Sequence, residues 1–292
     1  MRHGFGHQGI EPGIAKRREP LQSRAQVDSC GRCHARRGTL GDYHYGADLL
    51  DTHRLSLPQW PLYYHDGQIR DENYVYGSFV QSKMHQAGVV CSNCHEPHSL
   101  ALRAPGNGVC AQCHVPQQYD TPEHHHHPAE SSGALCANCH MPETTYMGVD
   151  PRRDHSMRVP RPDLSVTMDI PNACNSCHQD KTAQWALDST RSWGVQYRDT
   201  GRHPARAFQR FDLGDRSLVP VIAALANDPA AAPIWRATAL ETLGQAGGRE
   251  AIQSVTAVLY DDDPILRSSA VRSLQFLPLH QRYQLLQPLM ED

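Results

Sequence analysis

All ten cysteines and five of the nineteen histidines fall into one recurring unit, Cys-x-x-Cys-His. The units are Cys30/Cys33/His34, Cys91/Cys94/His95, Cys110/Cys113/His114, Cys136/Cys139/His140 and Cys174/Cys177/His178. Two thiols three residues apart can each add across a vinyl group of one haem, and the histidine that follows reaches the iron from the same side. The spacing therefore implies five covalently attached haem c groups, with His34, His95, His114, His140 and His178 as the proximal iron ligands.

Other chemistry of paired cysteines fits less well. A zinc ribbon takes two pairs per metal and gives no reason for a histidine after every second cysteine. Five pairs also leave an odd one. A thioredoxin-like redox site expects one pair in a βαβ setting, and no such alternation of strand and helix is visible. A disulfide framework suits shorter secreted chains and does not predict the histidines.

Reactivity depends on the sixth position of each iron. A second imidazole leaves a six-coordinate iron that offers a substrate no open site, which suits an electron carrier. With five histidines used proximally, fourteen remain. His98 stands three residues after His95 in Cys94-His95-Glu96-Pro97-His98 and cannot easily circle to the far face of the haem that His95 serves, so it is expected on a neighbouring haem. The run His124-His125-His126-His127 lies between two motifs, and at most two of its four rings are expected on iron; the competing reading is a solvated or zinc-binding tract. His155 stands in Pro151-Arg152-Arg153-Asp154-His155-Ser156-Met157-Arg158, whose arginines suit forked hydrogen bonds to haem propionates; the competing reading is a basic surface loop. His65 has aromatic neighbours and Gly67 behind it. His85 falls on a helix expected from Tyr74 to Ala87. Either could equally be an ordinary surface histidine. His44 and His53 are weaker choices, and His3, His7, His203 and His280 lie outside the motif region.

The elements that must hold these groups are set by a chain of 292 residues, of which 39% are hydrophobic and 7% aromatic. Such a chain is poor in material for a large core of its own. Five macrocycles would supply apolar bulk, and the Pro- and Gly-containing stretches between motifs then read as loops over porphyrin. The formal net charge of −3 gives no support for nucleic-acid binding. No stretch is long and apolar enough for a membrane span.

Three zones follow along the chain: a polar lead over 1–24, expected to be poorly ordered; a five-haem region over 25–195; and helical repeats over 196–292. In the last zone Pro233-Ile234-Trp235-Arg236-Ala237 matches Pro264-Ile265-Leu266-Arg267-Ser268 at an offset of 31 residues. The match runs on to Leu243 and Leu274. Each copy follows an Asp-containing turn, and Val219, Ile222 and Leu225, like Ile252, Val255, Val258 and Leu259, have helical spacing. Paired helices at this period resemble HEAT repeats, in which neighbours bury one another's faces; the alternative is a plain helical bundle. The segment 283–292 reads as part of another repeat with an exposed apolar face. The expected fold class is mostly α with extensive loop: a haem-packed domain followed by an α-solenoid.

Haem c is attached outside the cytoplasm, so a periplasmic or extracellular location is expected. Residues 1–20 contain no apolar core of an export signal, so that signal, and any anchor, is expected outside the sequence considered.

The runs Gly77-Ser78-Phe79-Val80-Gln81-Ser82-Lys83-Met84 and Gly88-Val89-Val90-Cys91-Ser92-Asn93-Cys94-His95-Glu96-Pro97-His98-Ser99 resemble bacterial multihaem proteins with doubled Cys-x-x-Cys-His motifs. Tyr119-Asp120-Thr121-Pro122, Cys139-His140-Met141-Pro142, Asp150-Pro151-Arg152-Arg153-Asp154-His155-Ser156 and Pro171-Asn172-Ala173-Cys174 fit the same group, over roughly 27–195. That resemblance implies a cytochrome c-554-like haem region with more motifs upstream and HEAT or TPR repeats downstream. It also implies that His65, His98, His124, His127 and His155 are recurring positions, with His85 less regular. No Cys-x-x-Cys-His unit precedes Cys30 in these residues, a departure from that pattern. Two functions are compatible with these features. One is an electron carrier with mainly bis-His haems, whose repeats dock a redox protein or another copy. The other is an oxidoreductase with one open haem acting on a small nitrogen or sulfur compound; no Cys-x-x-Cys-Lys motif is present for a lysine-ligated active haem. The number of second histidines favours the carrier over the enzyme.

Overall fold

The computed structural model describes residues 5–6, 13–99, 101–197 and 203–290. These form two compact units, one from Met1–His34 and Ser82–Arg198, the other from Ala35–Gln81 and Asp199–Asp292. The architecture is mostly helical, with three two-stranded antiparallel sheets among the described residues. No helix among them is long and apolar enough to cross a membrane.

All five motifs belong to the first unit. The first motif ends the ten-residue helix Ala25–His34. The other four sit on or beside single-turn helices: Cys91–Cys94, Gly108–Ala111, Cys136–His140 and Ala173–Cys177. One turn is sufficient, because residues three apart already share a helix face. Sequence stops each turn early. Pro97, Pro116 and Pro142 follow three of the motif histidines by two positions, and the residue before proline is driven out of the helical region. Asn172 starts the last motif helix by accepting a hydrogen bond from Asn175 N.

Two local devices deliver further histidines. Thr121 and Pro122 open the short helix Pro122–His125, which His126 closes in the left-handed conformation (φ 56°). The hairpin Glu143–Tyr146/Asp150–Arg153 ends where Asp154 N donates to Pro142 O at 3.0 Å. The buried Asp154 carboxylate then accepts from Ser156 N at 2.8 Å, which fixes the turn that carries His155.

The segment 13–17, expected as part of a loose lead, is tied to the third motif. Ala15 N donates to Cys113 O and Val115 N to Gly13 O, both at 2.8 Å. The expected helix Tyr74–Ala87 is broken instead into Tyr76–Phe79 and Lys83–Gln86. Ser82 is extended, and its hydroxyl accepts from His85 N, which makes it the cap of a new helix. The buried Gln81 amide donates to Gly67 O and Gly77 O, holding the chain at the break.

In the second unit, Val219–Ala226, Pro233–Ala246, Gly248–Thr256 and Pro264–Ser273 form the repeat helices. Both long ones begin with proline at the first turn, where a missing N–H costs nothing. The repeated arginine is explained by the turn before it. Arg236 Nε donates to Ala226 O at 3.0 Å, and Arg267 Nη1 donates to Asp261 O at 2.6 Å and Asp262 O at 2.9 Å. Ile234, Leu240, Leu243, Leu266 and Leu274 are fully buried. Gly244 lets the two long helices approach: a Cβ there would lie 2.8 Å from Ser273 Cα. Beyond them, helix Leu279–Leu286 leaves Leu279 and Tyr283 exposed, as does Met290 after it.

Candidate haem-attachment sites and axial histidines

None of the ten cysteines is in a disulfide; Cys33 and Cys177 are exposed and the other eight intermediate. Thiols of different motifs lie side by side. Cys30 and Cys91 are within hydrogen-bond reach, which lowers the Cys30 pKa to about 7 and raises that of Cys91. Cys110 and Cys136 form the same kind of pair, with Cys110 lowered and Cys136 raised.

Three motif histidines each face a second histidine. His95 and His155 have ring centroids 6.3 Å apart, His124 and His140 6.2 Å, and His127 and His178 6.1 Å. Interplanar angles are 27°, 21° and 33°. In each pair one ring has its Nδ1 fixed by a backbone carbonyl. His155 Nδ1 meets Arg153 O and His140 Nδ1 meets Arg158 O, both at 2.8 Å, and His127 Nδ1 meets His125 O at 2.5 Å. A carbonyl only accepts, so Nδ1 must carry the proton, and Nε2 is left as the lone-pair nitrogen. Burial, the largest influence, lowers the pKa of His155 and His124 and so favours the neutral, ligating form.

The separations leave room for an iron between the two rings of each pair. An imidazole nitrogen binds a metal at about 2 Å, and its ring centroid lies about 1.2 Å further back, so two imidazoles that held one iron between them would have centroids roughly 6.4 Å apart, close to the separations found. A bare tetrahedral ion would need three or four protein ligands. Among the described residues, no group of three or more His, Cys, Asp or Glu side chains is placed to hold a metal ion. Imidazoles arranged in twos beside a thiol pair suit a haem iron, whose ring supplies four nitrogens of its own.

The four-histidine run divides its work. His124 and His127 make the pairs just described. His125 accepts from His127 N through Nδ1 at 3.2 Å, and His126 stacks on Trp193 with centroids 4.3 Å apart. Tyr119 stands between His114 and His124, edge-on to both at 5.5 and 5.6 Å. Trp185 lies against His178 at 4.8 Å. Tyr119 entered the sequence analysis only within the run Tyr119-Asp120-Thr121-Pro122 and Trp185 not at all, because only the fold brings them to the motif rings.

Other expected residues are placed differently. His34 is exposed at the end of its helix. Burial lowers the His114 pKa. Among the described residues, no second imidazole faces either at the pair separation. His98 is exposed on the loop after the second motif, its backbone N–H bound to Glu96. His85 is on the short helix Lys83–Gln86. His65 belongs to the second unit, stacked on Trp60 with centroids 5.7 Å apart and with Nε2 2.9 Å from Asp212 Oδ2. His53 is buried there. The arginines expected for propionates have protein partners: Arg152 with Asp150, Arg153 with Asn138 Oδ1, and Arg158 with Ser156 Oγ. His3 and His7 lie outside the described residues.

A family model for HEAT repeats matches residues 201–290, so the repeats read from the 31-residue offset are present. No curated protein matches the chain. Among solved structures, the outer cell wall cytochrome OcwA is similar at 15% identity with a TM-score of 0.43, over 86% of this chain and 64% of that one. The chain thus spans under two thirds of that protein's length, and this degree of likeness does not establish a shared fold.

Proposed function

We propose that the chain is a five-haem c-type cytochrome that transfers electrons outside the cytoplasm. The observation that carries this reading is the threefold repetition of one arrangement: a motif histidine opposed by a second histidine 6.1–6.3 Å away, with one ring of each pair held by a backbone carbonyl. The cysteine pairs would hold five haem c groups by thioether bonds, and His34, His95, His114, His140 and His178 would bind their irons. His155, His124 and His127 would be the second ligands at the second, fourth and fifth motifs. His98 is assigned to the iron of His34 or of His114. His65 would have to release Asp212 before its Nε2 could ligate.

The haem iron, when bound, supplies one-electron chemistry. The protein's part would be to hold that iron with neutral imidazoles, His95 with His155, His140 with His124 and His178 with His127. Rings already held in place change little in geometry between oxidation states. The HEAT repeats offer a surface suited to a redox partner protein or to another copy.

A second reading keeps one iron open for a small nitrogen or sulfur compound. What favours it is that His34 and His114 meet no second imidazole among the described residues. A carbon monoxide difference spectrum of the reduced protein, scaled to haem content, separates the two. No change supports the carrier; binding at about one haem in five supports the oxidoreductase.

A further inference from the structure

The contacts between motifs follow the order of the chain. The first and second motifs meet through the Cys30–Cys91 thiols and through Ser92 Oγ, which donates to Gln26 Oε1 at 3.0 Å. The second and third meet where Gln112 Nε2 donates to Asn93 O at 3.3 Å, with Cys94 beside Cys113. Asn107, on the turn before the third motif, accepts from Cys136 N at 2.9 Å and donates to Ala134 O at 2.9 Å, and the Cys110–Cys136 thiols touch beneath it. The fourth and fifth motifs are joined by packing of Cys136–His140 against Ala173–Cys177, with Cys139 beside Cys174 and Cys177. Among the described residues, every one of these thiol contacts joins consecutive motifs.

The ring contacts repeat the pattern. Tyr119 stands edge-on between His114 of the third motif and His124, which faces His140 of the fourth. His124 and His127, on one turn of chain, face the fourth and fifth motifs. The two exposed cysteines, Cys33 and Cys177, belong to the first and last motifs.

We infer that the five haem-attachment sites form a single unbranched row in chain order, with the first and fifth motifs as its two ends and its ports for electron exchange. This rests on the five-haem reading above. In such a row each inner haem has two neighbours and each end haem one. A charge gained at one site raises the cost of reducing the sites beside it most, because the interaction weakens with distance.

The test is a redox titration followed haem by haem through the NMR signals of the haem methyl groups. It compares the wild type with Cys30→Ala/Cys33→Ala and with Cys110→Ala/Cys113→Ala, each lacking one haem. The row predicts that losing the first haem moves the midpoint of one remaining haem, and losing the third moves two. Any number of shifts other than one after loss of the first haem, or other than two after loss of the third, overturns the order. Should the third-motif variant not fold, His114→Met keeps both thioethers, alters that haem's own potential, and must again move two others. Haem content separates the failures: a wild type with fewer than five haems overturns the functional reading, whereas five haems with the wrong pattern of shifts overturns only the row.

Discussion

His124 and His127 stand three residues apart and face different motif histidines, His140 at 6.2 Å and His178 at 6.1 Å. One short segment thereby presents a ring to each of two motif histidines. The left-handed His126 between them, stacked on Trp193, turns the chain so that the two rings diverge. A substitution that straightens this turn is expected to disturb two haems together.

His155 is the most exacting test of a single pair. His155→Ala removes the ring opposite His95 and opens that iron, so carbon monoxide binding by the reduced protein should rise by about one haem in five over the wild type. No rise would exclude His155 from the ligand set.

His98 is exposed on its loop, and its assignment rests on chain geometry after the second motif. His98→Met is expected to shift the potential of one haem, the one served by His34 or His114, while the three described pairs keep their spectra. An unchanged spectrum and titration would remove His98 from the ligands.

The candidate site was legible in the sequence as far as the Cys-x-x-Cys-His spacing reaches, because that unit fixes residue types and positions. The cysteines and motif histidines are read directly, and the expectation that at most two rings of the four-histidine run face motif histidines agrees with the contacts of His124 and His127. What the sequence did not show is which second histidine meets which motif. That choice depends on the hairpin that carries His155 and on contacts distant in the chain. The strap of Gly13 and Ala15 across the third motif was equally hidden, since its hydrogen bonds use backbone groups that every residue has. The repeats were visible through Arg236 and Arg267. The grouping of 35–81 with them is tertiary, as in the contact of Gln59 with Glu241.

Glu241 and Arg272 occupy equivalent places in successive repeats and are paired at 2.8 Å. Burial raises the Glu241 pKa more than Arg272 lowers it. A carboxyl whose pKa is raised on folding takes up a proton that the unfolded chain does not. Its contribution to stability is therefore present at low pH and is lost as pH rises from the ordinary carboxylate value through the raised one. Glu241→Gln should raise the thermal unfolding temperature of the helical repeats at neutral pH and flatten its pH dependence, followed by far-ultraviolet circular dichroism. A lower unfolding temperature at neutral pH would show that the ion pair outweighs the burial.

Gly244 is required by the approach of Ser273, whose Cα would lie 2.8 Å from an added Cβ. Gly244→Ala gains about 1 kcal/mol of helix propensity, but overpacking between two buried helices costs about 1–3 kcal/mol. The balance should be a measurable loss of stability in the repeats, read by hydrogen exchange of Pro233–Ala246 and Pro264–Ser273. Unchanged or slower exchange would show that the helices can separate at little cost.

The central claim is that all ten cysteines hold haem. Intact-mass measurement of the mature protein after acid denaturation, which strips every haem not covalently bound, tests it most directly. The account predicts the polypeptide plus five haems with no thiol left to alkylate; a mass without haem, or with alkylatable cysteines in the motifs, would contradict it.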